Sequence, residues 1–280
     1  HACAAYRRGE LSRRALLRLA AAAGVSLAAL GLEGCAALGG PAIPRRKLGK
    51  TGATLSVVGF GGIVVMNETP DAAAALVAKA VERGINYFDV APSYGNAQER
   101  LGPALEPYRK DVFLACKTEK RTKEAAWDAL QNSLRLLRTD HFDLYQLHAV
   151  TTLAEVETIL SPGGALEALT QAKAQGLVKH IGFSAHSEDA ALALMERDDF
   201  ETILFPFNYV TWHQGAFGPR VMERAKEKGM GILALKALAK RPWAAGETKT
   251  WPKCWYAPVE SLEEATLALR FTLSQPVTAA

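Results

Sequence analysis

Cysteine is scarce: Cys3, Cys35, Cys116 and Cys254 are the 4 in 280 residues. No CxxC and no Cys/His pair has zinc-ligand spacing, which argues against a metal site and a disulfide framework. Cys116 falls in a predicted buried strand, where a small apolar thiol is the simple reading. Charge of one sign is also lacking. The net charge is +4, and much of it lies in the first 50 residues (Arg7, Arg8, Arg13, Arg14, Arg18, Arg45, Arg46, Lys47, Lys50). The remainder is close to neutral and gives no argument for nucleic-acid binding. Gly59-Phe60-Gly61-Gly62 follows the first strand-like run without GxGxxG spacing, so a Rossmann site is unsupported. The charge-free apolar run Leu19–Leu32 falls short of the ~20 residues that cross a bilayer. What is there is ordinary globular material, 49% hydrophobic and 22% charged. A single α/β barrel uses about 250 residues.

The first 40 residues read as an address. Residue 1 is His. Ser12-Arg13-Arg14-Ala15-Leu16-Leu17-Arg18 precedes the apolar run, and a basic stretch before a modest apolar run is the pattern of an export signal. The paired arginines resemble a twin-arginine signal. Leu32-Glu33-Gly34-Cys35 resembles a bacterial lipobox, although Glu33 departs from that motif. Lipidation of Cys35 would anchor the mature protein to a membrane. The plain alternative is an Ala-rich surface helix with an incidental Arg pair. Residues 1–40 are therefore expected to be an export segment. They would make the protein periplasmic or lipid-anchored, and it would be cytoplasmic if the segment is not a signal.

Residues 44–280 alternate between strand and helix patterns. Turn chemistry at 44–52 predicts a β-hairpin. Strands are expected at 55–60, 85–89, 111–116, 142–148, 180–184, 202–207 and 231–235, with an eighth starting at Pro276-Val277-Thr278. Helices are expected at 69–83, 97–105, 123–137, 165–175, 188–197, 220–228 and 261–274. The first has Thr69 as N-cap, Pro70 at N1 and Gly84 as stop. This alternation predicts parallel βαβ units. Seven units and part of an eighth favour a (β/α)8 TIM barrel with an N-terminal hairpin over an open sheet. The eighth strand is barely begun and no final helix follows. A piece of a longer protein is expected, or else a barrel with exposed edges. The stretch 239–258 reads as a long loop at the active-site end, and Trp243, Trp251 and Trp255 favour packing over disorder.

Four polar residues sit at or just past the ends of successive strands. Asp89 and Tyr94 follow the second strand, Lys117 the third and His148 the fourth. In a parallel barrel these ends share the face on which active sites are built. Taken singly, Asp89 could cap a turn, Tyr94 be a loop aromatic, Lys117 a solvated strand end and His148 a core histidine. Their joint placement argues for chemistry. Carbonyl reduction by a nicotinamide needs a hydride from the cofactor and a positioned acid for the oxygen. A tyrosine hydroxyl has a pKa near ~10, and an ammonium beside it would lower that value. Lys117 is placed for this, Asp89 to hold Lys117, and His148 to hydrogen-bond the substrate oxygen.

These residues carry a resemblance. Gly84-Ile85-Asn86-Tyr87-Phe88-Asp89-Val90-Ala91-Pro92-Ser93-Tyr94-Gly95, with Gln98-Glu99-Arg100-Leu101-Gly102, resembles the aldo-keto reductase signature. Leu48-Gly49-Lys50-Thr51-Gly52 and Gly59-Phe60-Gly61-Gly62 resemble that family's hairpin and first strand. Gly176-Leu177-Val178-Lys179-His180-Ile181-Gly182-Phe183-Ser184 resembles its entry into strand five. The resemblance implies Tyr94 as general acid, tuned by Lys117 and Asp89, with His148 orienting a small-molecule carbonyl substrate. It implies NADP(H) extended across the C-terminal face, with Ser184 on the nicotinamide carboxamide. Gly61, Gly62, Asn208, Leu235 and Lys236 would be further cofactor contacts.

Some positions depart from the family's pattern. Ala185-His186 stand where Asn often follows that Ser. Leu204 occupies the place of a frequent Gln, and Leu235-Lys236 that of a stacking aromatic. The family's adenosine-phosphate site lies after strand eight, past the end of this sequence, so the preference between NADP and NAD is not read from these residues; the resemblance implies NADP, and NAD stays open. Two other readings compete with a carbonyl reductase. One is a regulatory protein on the same scaffold that holds cofactor with little turnover. The other is a hydrolase or lyase barrel using His148 and Asp89, which would want paired carboxylates or metal ligands on that face. Neither the substrate nor the oligomeric state is written in the sequence.

Overall fold

The computed structural model describes residues 43–280. The expected export segment 1–40, with Arg13-Arg14 and Cys35, lies outside the described residues. The chain opens with a hairpin, β1 (Arg45–Lys47) and β2 (Thr54–Ser56), paired antiparallel. The run expected as one strand over 55–60 is thus divided. Its first part belongs to the hairpin, and the first barrel strand is only β3 (Phe60–Gly61). Asn86 fixes this arrangement, since its side chain accepts from Ser56 N at 2.7 Å and donates to Thr54 O at 3.0 Å.

The rest follows in order: α1 (Pro70–Glu82), β4 (Tyr87–Asp89), α2 (Ala97–Leu105), β5 (Phe113–Thr118), α3 (Lys123–Leu136), β6 (Phe142–Val150), α4 (Leu153–Leu160), α5 (Ala165–Ala174), β7 (Val178–Ala185), α6 (Glu188–Arg197), β8 (Thr202–Phe205), α7 (Tyr209–Gly215), α8 (Pro219–Glu227), β9 (Gly231–Ala234), β10 (Ala239–Pro242), β11 (Tyr256–Pro258) and α9 (Leu262–Ser274). Strands β3 to β9 form one parallel sheet in chain order. The last residues lie between its two edges. Thr278 N donates to Ile232 O at 2.7 Å, and Ala234 N to Ala279 O at 2.8 Å. On the other side Gly59 N donates to Ala280 O at 2.8 Å, and Ala280 N to Val57 O at 3.0 Å. The expected open edges are therefore bridged by residues 278–280, and the sheet closes into a (β/α)8-type barrel.

Three further corrections concern elements. Helices α4 and α7 were not anticipated. The stretch 239–258 contains a two-stranded ribbon, β10 with β11. Strands β5 and β6 run past their expected ends, so Lys117 and His148 lie within strands.

Side chains alternate across each strand, and this divides the core in two. Phe88, Leu114, Cys116, Tyr145, Phe183 and Phe205 face the helices. Tyr87, Phe113, Ala115, Leu144, Leu204 and Leu233 face the barrel axis, with Leu48 and Leu55 of the hairpin packed beneath them. Leu48 and Leu55 are fully buried, so the hairpin plugs one mouth of the barrel. The plug sits close to the wall. Gly49 has φ +50°, and a Cβ there would strike the Gly231 backbone, so glycine is needed on both counts.

Candidate active site

Parallel strands in a barrel are staggered, and the stagger stacks the polar residues. Asp89 pairs with Ala115, while Lys117 lies one inward-facing step further along β5. Lys117 pairs in turn with Gln146, and His148 lies one step beyond that on β6. Tyr94 reaches the same level from the turn after β4, where its N–H donates to Ala91 O at 3.1 Å. Asp89, Tyr94, Lys117 and His148 all line one cavity of about 490 Å³ at the C-terminal ends of the strands. That size is usual for a small-molecule site.

Lys117 is 1% exposed. Its ammonium donates to the Asp89 carboxylate and, at 3.4 Å, to Val90 O. Burial is the largest single influence and lowers its pKa, but the charge and hydrogen bond of Asp89, joined by the Tyr94 and Cys116 groups, together outweigh it; the net shift is upward, so the ammonium stays charged. Asp89 also accepts from the Tyr87 hydroxyl at 3.1 Å. Tyr87 is a site residue that the sequence reading passed over. Its signal was the two-residue spacing to Asp89, which puts both side chains on one strand face.

The Lys117 ammonium stands 5.6 Å from the Tyr94 ring centroid. The expectation that it would pull the Tyr94 pKa down is corrected. Burial is the larger influence, Lys117 only partly offsets it, and the phenol is raised above its ordinary value of 10.0. Tyr94 is thus held as the neutral, proton-bearing phenol. The His148 ring lies 6.1 Å from the Tyr94 ring at 81°. Burial first, then the positive charges of Lys117 and its neighbours, push His148 down to about 3. It is a neutral imidazole at ordinary pH. Its buried Nδ1 has no hydrogen-bond partner among the described residues, the Glu119 carboxylate being 3.4 Å away.

The cofactor candidates divide. Gly61, Ser184, Leu235 and Lys236 line the cavity, as does Leu204. Gly62 and Asn208 do not. Gly62 is packed so tightly on Val90 that a Cβ would clash. Asn208 is the N-cap of α7 and accepts from Thr211 N at 3.0 Å. His186 and Trp255 also line the cavity and were not singled out as site residues. Burial, then the Lys236 charge, lowers His186 to about 4. Trp255 is 57% exposed, and its ring lies 5.4 Å from that of Tyr94.

A nicotinamide dinucleotide needs an apolar wall for its ring, a hydrogen-bonding group for its carboxamide and a cation for phosphate. Leu204 and Leu235 supply a wall. Ser184 Oγ accepts from Ala149 N at 2.8 Å, which leaves the hydroxyl proton free to donate. Lys236 is half-buried, and burial lowers its pKa with no carboxylate to offset it. The donor set fits such a cofactor. Among the described residues no group of His, Cys, Asp and Glu is placed to hold a metal ion.

The sequence profile of the Aldo/keto reductase family matches residues 57–276. The oxidoreductase YqkF of Bacillus subtilis is 29% identical over 178 residues, which cover 59% of this chain and 56% of YqkF. The L-galactose dehydrogenase of Arabidopsis thaliana is 28% identical over 244 residues, 81% of this chain and 74% of that protein. This chain thus spans little more than half the length of YqkF. An aldo-keto reductase structure from Bacillus halodurans has a TM-score of 0.65 at 24% identity, covering 85% of this chain and 84% of the other. At that identity the likeness is one of fold. The profile match over most of the barrel, set beside the cavity just described, shows that the chain belongs to the aldo/keto reductase family, a family of NAD(P)H-dependent oxidoreductases.

Proposed function

We propose that this protein reduces small aldehydes or ketones to alcohols with NADP(H), and that Tyr94 is the proton donor. The observation that carries the reading is the buried Lys117–Asp89 pair beside a neutral Tyr94, with His148 across the same cavity. When bound, the cofactor supplies a hydride for the carbonyl carbon. Tyr94 gives its hydroxyl proton to the carbonyl oxygen. The Lys117 ammonium then stabilises the phenolate left behind. Asp89, braced by Tyr87, helps to keep that buried ammonium charged. The neutral His148 ring donates a hydrogen bond to the oxygen and fixes its direction toward Tyr94. Ser184 and Lys236 would hold the cofactor, with Leu204 and Leu235 beneath its ring.

We propose separately that the protein is exported through the Arg13-Arg14 segment, to the periplasm or to a lipid anchor at Cys35. The sequence alone supports this part. The reaction is tested by titrating NADPH and NADH against the protein by fluorescence, then following cofactor oxidation with a panel of aldehydes and ketones. Tight NADPH binding with turnover is expected. Binding of both cofactors without turnover of any carbonyl would favour the regulatory reading. The names of relatives include sugar dehydrogenases, such as the D-threo-aldose 1-dehydrogenase of Pseudomonas, so the panel should contain aldoses.

A further inference from the structure

His148 owes its place to an irregularity in β6. Between Leu147 and Val150 the strand uses three steps, whereas β7 uses two between Phe183 and Ala185. One extra residue in a ladder is a bulge, and bulges redirect side chains near active sites. At the bulge Ala149 has φ +53°. An alanine there is disfavoured, so its surroundings must hold it.

Two contacts hold it, one at each end of the turned peptide. The Ala149 N–H donates to Ser184 Oγ at 2.8 Å. The His148 carbonyl accepts from Arg121 Nη2 at 2.7 Å. That carbonyl and that N–H belong to one planar unit. The guanidinium and the serine therefore fix the plane that sets the direction of the His148 side chain.

Arg121 is itself braced. Its Nε and Nη2 donate to Glu155 Oε1 at 3.0 and 2.8 Å. The other oxygen of Glu155 accepts from Thr151 N at 2.9 Å and Thr152 N at 3.1 Å. Glu155 is the N3 residue of the capping box that starts α4. Arg121 lies in the loop between β5, which carries Lys117, and α3. It does not line the cavity. A chain of contacts thus runs from the start of α4 through Glu155 and Arg121 to the His148 backbone.

We infer that Arg121 is a positioning residue: braced by Glu155, it holds the β6 bulge in the shape that turns the His148 imidazole into the cavity. The inference rests on the reading of His148 as the group that orients the carbonyl. Its structural half can be tested without that reading.

The experiment is histidine ring NMR on the full chain, comparing wild type with Arg121→Met, Arg121→Lys and Glu155→Gln, with His148→Gln to assign the signal. The His148 resonances are expected to shift and broaden in Arg121→Met and less so in Arg121→Lys. Those of His180, held by Glu201 on the far side of β7, should stay in place. In turnover, kcat should fall roughly 10- to 100-fold in Arg121→Met, the loss expected from a small misplacement. The cofactor dissociation constant should stay within about twofold of wild type, since Arg121 is off the cavity wall. An unmoved His148 signal in folded Arg121→Met overturns the inference. Should that variant not fold, an unmoved signal in Arg121→Lys and Glu155→Gln overturns it equally. If wild type reduces no carbonyl, the proposed reaction fails, while the NMR result still decides the clamp.

Discussion

Tyr94 and His148 are kept neutral by the same force acting in opposite directions. Burial disfavours charge, so it raises the phenol and lowers the imidazole. The proposed reduction needs both neutral, with the phenol protonated and the imidazole uncharged. Phenol competence is lost only as pH rises above 10.0, its ordinary value, and the neutral imidazole is lost only near 3. The kcat/KM for reduction should therefore be flat through the neutral range and fall on the alkaline side above pH 10. A limb between pH 6 and 7 would mean that His148 titrates normally, contrary to the geometry. The pKa direction of Tyr94 was not legible in the sequence. The sequence puts a lysine near a tyrosine, but the depth of the cavity decides which influence prevails, and depth is a property of the closed barrel.

Among the elements, what could be read was what repeats. The alternation of strands and helices follows from periodicity, and Asp89, Lys117 and His148 were found because each ends an apolar run. What could not be read was where a local signal had two meanings. Asn208 reads in the sequence as a ligand contact, yet it caps α7, because a short polar side chain after a strand fits either role. The capping box Thr152…Glu155 was present and passed over, and with it α4 and the brace on Arg121. The ribbon β10–β11 has no compact turn signature in its 13 intervening residues 243–255, so only tertiary pairing defines it. This ribbon brings Trp255 against Tyr94. It is strapped to the opposite loop by Lys253, which donates to Val64 O at 2.8 Å and Glu68 Oε1 at 2.6 Å. Trp255→Ala should raise KM for ring-bearing aldehydes by about tenfold, the effect of losing ~1.4 kcal/mol of apolar contact. KM for a two-carbon aldehyde should barely move. Equal effects on both would remove Trp255 from the substrate wall.

For the whole molecule, closure matters more than any single element. Residues 278–280 join the two sheet edges, and the hairpin plugs the opposite mouth with Leu48 and Leu55. Leu48→Ala should cost about 2–5 kcal/mol, the range for an aliphatic core truncation, read from urea unfolding. A change below ~0.5 kcal/mol would mean that the plug is not part of the cooperative core. The sequence foresaw the barrel but not this closure, because three residues of eighth strand look like nothing until their partners are in place. The address at the other end of the chain is a separate claim. Expression in a bacterium should give a membrane-bound product that incorporates labelled fatty acid, and Cys35→Ser should abolish both. Label retained by the variant would refute lipidation at Cys35.

The central claim is that Tyr94 supplies the proton. It is tested most directly by single-turnover oxidation of bound NADPH by an aldehyde, wild type against Tyr94→Phe, with NADPH affinity measured on both. The account predicts unchanged affinity and a loss of at least ~10²-fold in the hydride-transfer rate, the usual scale of general-acid catalysis. A Tyr94→Phe protein that turns over at the wild-type rate would contradict it.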